Sequence, residues 1–214
     1  RATLGLSGEH VGRGLPGRSF APSPQARQQL TQARVFASGA RNMSAVSSGR
    51  ASGYVHYYRA SFLDPAPPFG DPFDDGTTLI GAGGESSFSR SLGRGTLEFG
   101  TAAKHVRVES TVLSTLETPT RTDLGAWLSG AYLDGPLGTA WTGAIRLDHS
   151  GLPAQWFGSH DVRVQATLGT LTIHAGHKSS FSPPTLGDQF FREGVRVEPN
   201  PDLRAERVPS EWVG

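Results

Sequence analysis

Two runs of apolar–polar alternation, set back to back across one glycine, constrain this chain more than any other feature. In Asp161-Val-Arg-Val-Gln-Ala-Thr-Leu168, Val162, Val164, Ala166 and Leu168 share one parity, while Arg163, Gln165 and Thr167 take the other. After Gly169 the pattern resumes in Thr170-Leu-Thr-Ile-His-Ala-Gly-His-Lys178, with Leu171, Ile173 and Ala175 opposite Thr172, His174 and Gly176. Successive side chains of a strand point to opposite faces, so a period of two on both sides of a turn predicts two antiparallel strands, each apolar on one face. A long proline-punctuated loop follows, through Phe181-Ser-Pro-Pro-Thr-Leu-Gly-Asp-Gln-Phe-Phe191 and Glu198-Pro-Asn-Pro-Asp-Leu-Arg-Ala-Glu206, and then one more strand begins.

The same unit of two strands, a tight turn and a long loop recurs upstream. Residues 2–10 alternate, with Leu4 and Leu6 against Thr3, Ser7 and Glu9, and residues 12–24 form a loop rich in turn residues. Strands are predicted over 27–40 and over the aromatic-rich 51–62, with 41–49 turning between them and 63–76 a loop of prolines and aspartates. Further strands cover 77–89, 96–104, 124–133 and 139–149, with turns at 91–95 and 134–138, while 105–121 is a longer mixed segment whose Val106-Arg-Val-Glu109 piece extends a strand beyond the main layer. Residues 151–159 read as a loop carrying Trp156 and Phe157.

Composition narrows the choices. With 28 glycines and 15 prolines in 214 residues, glycine interrupts almost every segment, and no helical bundle can be built. A net charge of +1, from 20 basic and 19 acidic residues, gives no electrostatic case for nucleic acid. The absence of cysteine rules out disulfides and thiolate metal sites. No apolar run reaches the ~18 residues of a membrane helix, but a spanning strand needs only ~9–11 alternating residues. The chain opens on Arg1 rather than Met and reads as a piece of a longer protein.

Roughly ten strands result, with short connections after Ala40, Ser89, Leu133 and Leu168 and long ones after His10, Phe62, Lys104, His149 and Lys178. A membrane barrel sorts its connections this way, with short turns on one side and long loops on the other. The polar strand face includes Glu98, Lys104, Arg146, Asp148, Arg163, Gln165 and His174, which a dry core would not accept unpaired but a watery lumen would. Trp127, Tyr132, Trp141, Trp156 and Trp212 lie near strand ends, as interfacial girdles do. The expected fold is therefore all-β: an antiparallel up-and-down transmembrane β-barrel segment occupying residues 1–214. A complete small barrel, porin-like or enzymatic, and a soluble β-sandwich binding module are the alternatives.

The closing segment resembles the TonB-dependent outer-membrane receptors. Phe181-Ser-Pro-Pro-Thr-Leu-Gly-Asp-Gln-Phe190 is similar to that family's Phe-x-Ala-Pro-Thr-Leu-x-Glu-Leu-aromatic stretch, through Phe181, Pro184, Thr185 and Leu186. Asn200-Pro-Asp-Leu-Arg-Ala-Glu206 is similar to its Asn-Pro-x-Leu-x-Pro-Glu, through Asn200, Pro201, Leu203 and Glu206, and opens a strand that in the family ends in Glu-x-Gly, here at Gly214. Ala205 stands in place of proline, and Glu211-Trp212 reverses the usual aromatic-then-glutamate order. Strict alternation turns Glu211 to lipid and Trp212 to the lumen; a bulge near Pro209, or Glu211 at headgroup level, would accommodate this. The resemblance implies a place in the outer membrane of a Gram-negative-type bacterium, surrounded by lipid. It implies uptake of a scarce small molecule such as a siderophore, cobalamin or haem (a metal chelate in some cases), without catalysis or cofactor. It also implies a plug domain contacting TonB, which these residues lack, and a 22-strand barrel of which this would be a part.

Other chemistry is thinly signalled. Trp156, Phe157, Phe190 and Phe191 lie on the long-loop side and are candidates to meet the ligand, against the plainer reading of loop packing or headgroup anchors. His174 and His177 have a helical metal-site spacing but point to opposite faces of a strand, so no metal site is assigned. Asp148-His149-Ser150 holds triad residue types that neighbours on a strand cannot converge, so no catalytic residue is assigned. Gly176-His-Lys-Ser179 lacks the glycine and helix of a phosphate loop. Gly81-Ala-Gly-Gly84 reads as small lumen-side residues making room for neighbours, and the aspartates of 63–76 as a solvated loop rather than a calcium site.

Overall fold

The computed structural model describes the whole chain except residues 15–16, 19–20, 71, 112–117, 135–137, 153 and 191–199. It is one antiparallel up-and-down sheet of ten strands in which spatial order follows chain order. The strands are β1 (Ala2–Gly14), β4 (Arg27–Ser44), β5 (Ser47–Asp64), β6 (Phe73–Leu92), β7 (Gly95–Ser110), β8 (Thr120–Asp134), β9 (Thr139–Gly151), β10 (Ala154–Leu168), β11 (Leu171–Ser182) and β12 (Glu206–Val213). A two-stranded ribbon, β2 (Gly17–Arg18) with β3 (Ala21–Pro22), sits in the first connection, and the short helix α1 (Leu186–Phe190) in the last. Among the described residues, β1 pairs only with β4 and β12 only with β11, so the sheet is open at both sides.

Alternation became strands because the ladders run unbroken for most of their length. Val162, Val164 and Ala166 pair with His177, Ala175 and Ile173 on one face, and Arg163 and Gln165 with Gly176 and His174 on the other. Gly93 and Gly169 hold positive φ angles of 62° and 65° in the turns after β6 and β10, a conformation glycine reaches without penalty.

Several strands overrun their predicted limits. The turn placed at 41–49 shrinks to the two residues between Ser44 and Ser47, past a bulge at Asn42/Ser44. The loop placed at 63–76 shortens because Asp64 still pairs with Phe73. The largest correction concerns 151–159. Gly151 and residues 154–159 are strand, with Gly151 paired to Ala154 and Trp156 to His149, so the connection after His149 is tight rather than long. Aromatic residues favour pleated surfaces, and here they extended the hairpin instead of forming a loop. The strict sorting of short and long connections therefore fails at this one place.

The sheet has almost no dry interior. Among the described residues the buried apolar side chains are Ala26, Val106, Val108, Phe157 and Leu186. Leu4, Val55, Ile80, Phe99, Leu128, Ile145, Val162 and Ile173, all on the apolar face, are exposed instead. This pattern opposes the sandwich alternative, which needs those residues covered by a second sheet.

Candidate functional site

The polar face is where the sheet concentrates chemistry, and its charges pair along strands rather than across them. Arg146 grips Asp148 with both Nε and Nη2, the latter at 2.7 Å, and Arg163 grips Asp161 likewise. Arg121 Nε donates to Asp123 at 3.0 Å. Residues two apart share a face, so each pair closes within its own strand, and the spacing Arg-x-Asp or Asp-x-Arg was the legible signal that sequence reasoning missed.

Aromatic rings fill notches left by glycines on the neighbouring strand. A Cβ on Gly176 would lie 2.2 Å from the ring of Trp212, one on Gly100 2.2 Å from that of Trp127, and one on Gly83 2.8 Å from Tyr54 Oη. Guanidinium groups then cover the rings. Arg146 sits 5.4 Å from the Trp127 centroid, Arg163 5.6 Å from Trp212 and Arg34 5.0 Å from Tyr54. Gly81 and Gly83 do make room, beneath His56 and Tyr54. Trp127 and Trp212, expected in girdles, instead lie on the polar face, because their partners in the ladders are Gly100 and Gly176. Tyr132, Trp141 and Trp156 remain on the apolar face.

Between β1, β4, β5 and β7 the polar face is hollowed by about 630 Å³, lined by Glu9, Gln32, Arg34, Tyr54, His56 and Lys104. Glu9 accepts a hydrogen bond from Gln32. Neither Arg34 nor Lys104 pairs with a carboxylate among the described residues, so the hollow offers two cations beside aromatic rings. Such a surface attracts an anionic group and gives it a ring to lie against.

The two halves of the closing motif are folded together over the long-connection end of this face. Thr185 caps α1: its Oγ1 accepts from the Asp188 amide at 3.1 Å, while Asp188 Oδ2 accepts from the Thr185 amide at 3.0 Å. Those bonds hold the Asp188 carboxyl below its ordinary range, the hydroxyl donor of Thr185 first and its amide second. Leu186 is buried against Val106 and Val108, with Phe190 packed beside it. Arg121 Nη1 donates to the Pro184 carbonyl at 2.6 Å, tying the segment to the sheet, and Ser150 Oγ donates to Asp123 at 2.9 Å beneath it. Gln189, fully buried, donates through Nε2 to the Pro201 carbonyl at 2.9 Å. Asn200 turns the chain by accepting from the Asp202 amide, and Leu203 closes that turn on the Asn200 carbonyl. Glu206 then opens β12 opposite Ser182, and Gly214 bonds to His174 at its end. No bulge interrupts β12, so Glu211 shares the apolar face with His177 and Trp212 the polar face with Gly176.

The four ligand candidates are not brought together. Trp156 is exposed on the apolar face, its ring 4.8 Å from that of His149 and tilted 55° to it. Phe157, on the opposite face, is buried and stacks on Phe181 at 4.6 Å. Phe190 belongs to the small apolar cluster, and Phe191 lies outside the described residues. Among the described residues no group of three or more metal-ligating side chains converges.

No protein-family model matches the sequence, and no curated protein matches it. The fold is similar to the crystal structure of the siderophore receptor PirA from Pseudomonas aeruginosa, with a TM-score of 0.59. The likeness is one of fold. Identity is 12%, and the match covers 88% of this chain but 45% of that one, so the chain spans less than half of the structure it resembles.

Proposed function

We propose that this chain is part of the barrel wall of a TonB-dependent outer-membrane receptor, importing a scarce ligand such as a siderophore, cobalamin or haem by binding and transport rather than catalysis. The observation that carries the reading is the two-sided sheet: one continuous face of exposed apolar side chains, the other of paired charges and notched aromatics. Water does not reward the first face, whereas hydrocarbon does, and a watery lumen accommodates the second. The open sides of the sheet favour a larger barrel, since hydrocarbon does not tolerate unpaired strand edges. The likeness to a siderophore receptor and the resemblance of residues 181–214 to the TonB-dependent family support the same reading. Arg34 and Lys104 in the hollow favour an anionic ligand, as many metal chelates are. The plug and its contact with TonB would come from outside these residues.

The test is uptake. Cells lacking the gene should lose growth on one poorly available metal chelate, cobalamin or haem, and regain it on complementation. Uptake should stop when the proton-motive force is collapsed. Recovery of the protein in the soluble fraction, or uptake indifferent to both deletion and uncoupler, would overturn the proposal.

A further inference from the structure

Histidine is sorted on this sheet in a way that transport does not require. His10, His105, His149, His160 and His177 all stand on the apolar face, and all towards the ends of their strands that meet the connections opposite the Gly93 and Gly169 turns. Arg59, opposite Thr31 and Thr78, and Arg207, opposite Phe181, belong to the same border. The apolar face thus ends, on that side, in a row of imidazole and guanidinium N–H donors, whereas its other end carries Arg41 and Arg90 but, among the described residues, no histidine.

Of these donors only His177 has a carboxylate within reach among the described residues. Glu109 on this border is taken by Arg107 at 2.6 Å. Glu211 lies 3.9 Å from His177 and is otherwise exposed. His160 Nε2 and His177 Nδ1 are 3.0 Å apart with their rings stacked, so the pair presents a compact nitrogen-rich patch beside Trp156 and His149. Arg59 makes no hydrogen bond or ion pair among the described residues. If acyl chains cover the apolar face, as the proposed function requires, this row lies at the depth where headgroups begin. A phosphate there meets several donors at once, and charge-assisted bonds to guanidinium and imidazole suit its oxygens.

We infer that this border is a docking surface for phosphorylated lipid headgroups, held by Arg59, His149, His160, His177 and Arg207. The inference rests on the membrane reading above. The test uses the full-length natural protein in phosphatidylcholine vesicles containing a trace of spin-labelled phosphatidic acid or, separately, spin-labelled phosphatidylcholine. Motionally restricted boundary lipid should favour phosphatidic acid by about fivefold or more, roughly what one engaged arginine supplies near a membrane surface. Arg59→Gln and Arg207→Gln should each lower the preference, and replacing all five residues by Gln should bring it to about one. Arg41→Gln with Arg90→Gln, on the same face at the other end, should leave it unchanged. Boundary lipid without headgroup preference, or a preference surviving the single and combined substitutions, overturns the inference alone. Absence of any restricted lipid overturns the membrane reading and the inference with it.

Discussion

Replacing Gly176 by alanine tests the register of the last strand directly. In the observed register the indole of Trp212 occupies the space above Gly176, and the added methyl carbon would lie 2.2 Å from Cζ2 and 2.6 Å from Cε2. The three nearest atoms all belong to the indole, so it is the indole that has to move. Overfilling a fitted site costs roughly 1–3 kcal/mol. Losing the Arg163 contact adds about 0.5–1 kcal/mol, while the stiffer unfolded chain returns about 0.4–1 kcal/mol. Gly176→Ala should therefore destabilise by about 1–3 kcal/mol. In a Trp212→Ala background the same change should cost nothing further, giving a coupling of about 1–3 kcal/mol. Urea unfolding in lipid vesicles, followed by the gel-mobility difference between folded and unfolded protein, reads both numbers without relying on the tryptophan removed. Gly143→Ala is the control, because nothing lies within 4 Å of its Cβ position. If Gly176→Ala proves as mild as Gly143→Ala, Trp212 is not in the notch. A one-residue slip would then have exchanged the faces of Trp212 and Glu211, and the account of β12 is wrong.

Three further substitutions probe the two faces and the motif. Ile145→Arg, placing a charge on the apolar face, should destabilise the protein in bilayers by about 2–4 kcal/mol, while Thr142→Arg on the polar face should change stability little. Equal effects would remove the distinction between the faces. Thr185→Ala should weaken α1 by about 1 kcal/mol, seen as faster hydrogen exchange at the amides of α1 with the β8–β9 ladder unaffected. Because the Asp188 carboxyl is held below its ordinary value, its contribution should be complete above the unfolded carboxylate pKa, roughly 4, and lost as pH falls through the lower folded value. Exchange in α1 that is flat from neutral pH to pH 2, after correction for intrinsic rates, would refute that role. Arg121→Met should cost about 2–3 kcal/mol, as Asp123 and the Pro184 carbonyl lose a charged donor, and Asp123→Asn should recover part of it. Failure of the second change to compensate would show that Arg121 acts by packing alone.

The ladders were legible because one face of each strand is apolar, and a period of two survives any uncertainty about strand ends. Strand limits were harder to read. Aspartate and proline in residues 63–76 mark a bend without saying how far Asp64 and Phe73 keep pairing past it. Trp156 and Phe157 look like a loop pair only until pairing with His149 and Asp148 puts them on opposite faces. The girdle assignment of Trp127 and Trp212 failed for a related reason. Position near a strand end does not give parity, and the partner glycines, not the tryptophans, carried that information. The closing motif was visible as a string, but its physical content needed three dimensions. Thr185 and Asp188 form a cap, Leu186 fills an apolar cleft, and Gln189 joins the segment to Pro201 across residues distant in the chain. Arg121, which anchors the whole segment, carries no local mark beyond an aspartate two residues on.

Pairing within strands also determines where free charge remains on the polar face. An arginine and an aspartate two residues apart neutralise each other whatever the neighbouring strand does, so β8, β9 and β10 present little net charge despite their charged residues. Arg34 and Lys104, on β4 and β7, are among the cations left without a carboxylate, and they stand around the hollow that also holds Tyr54 and His56. Field lines converge on uncompensated charge in a concave, partly apolar wall, and the compensated strands beside it add little competing attraction. On the proposed reading an anionic ligand would therefore follow the wall between β4 and β7 rather than the more densely charged wall beyond it. Counting charges along the sequence places the pull at Arg146 and Arg163; counting them after pairing moves it to the other half of the sheet.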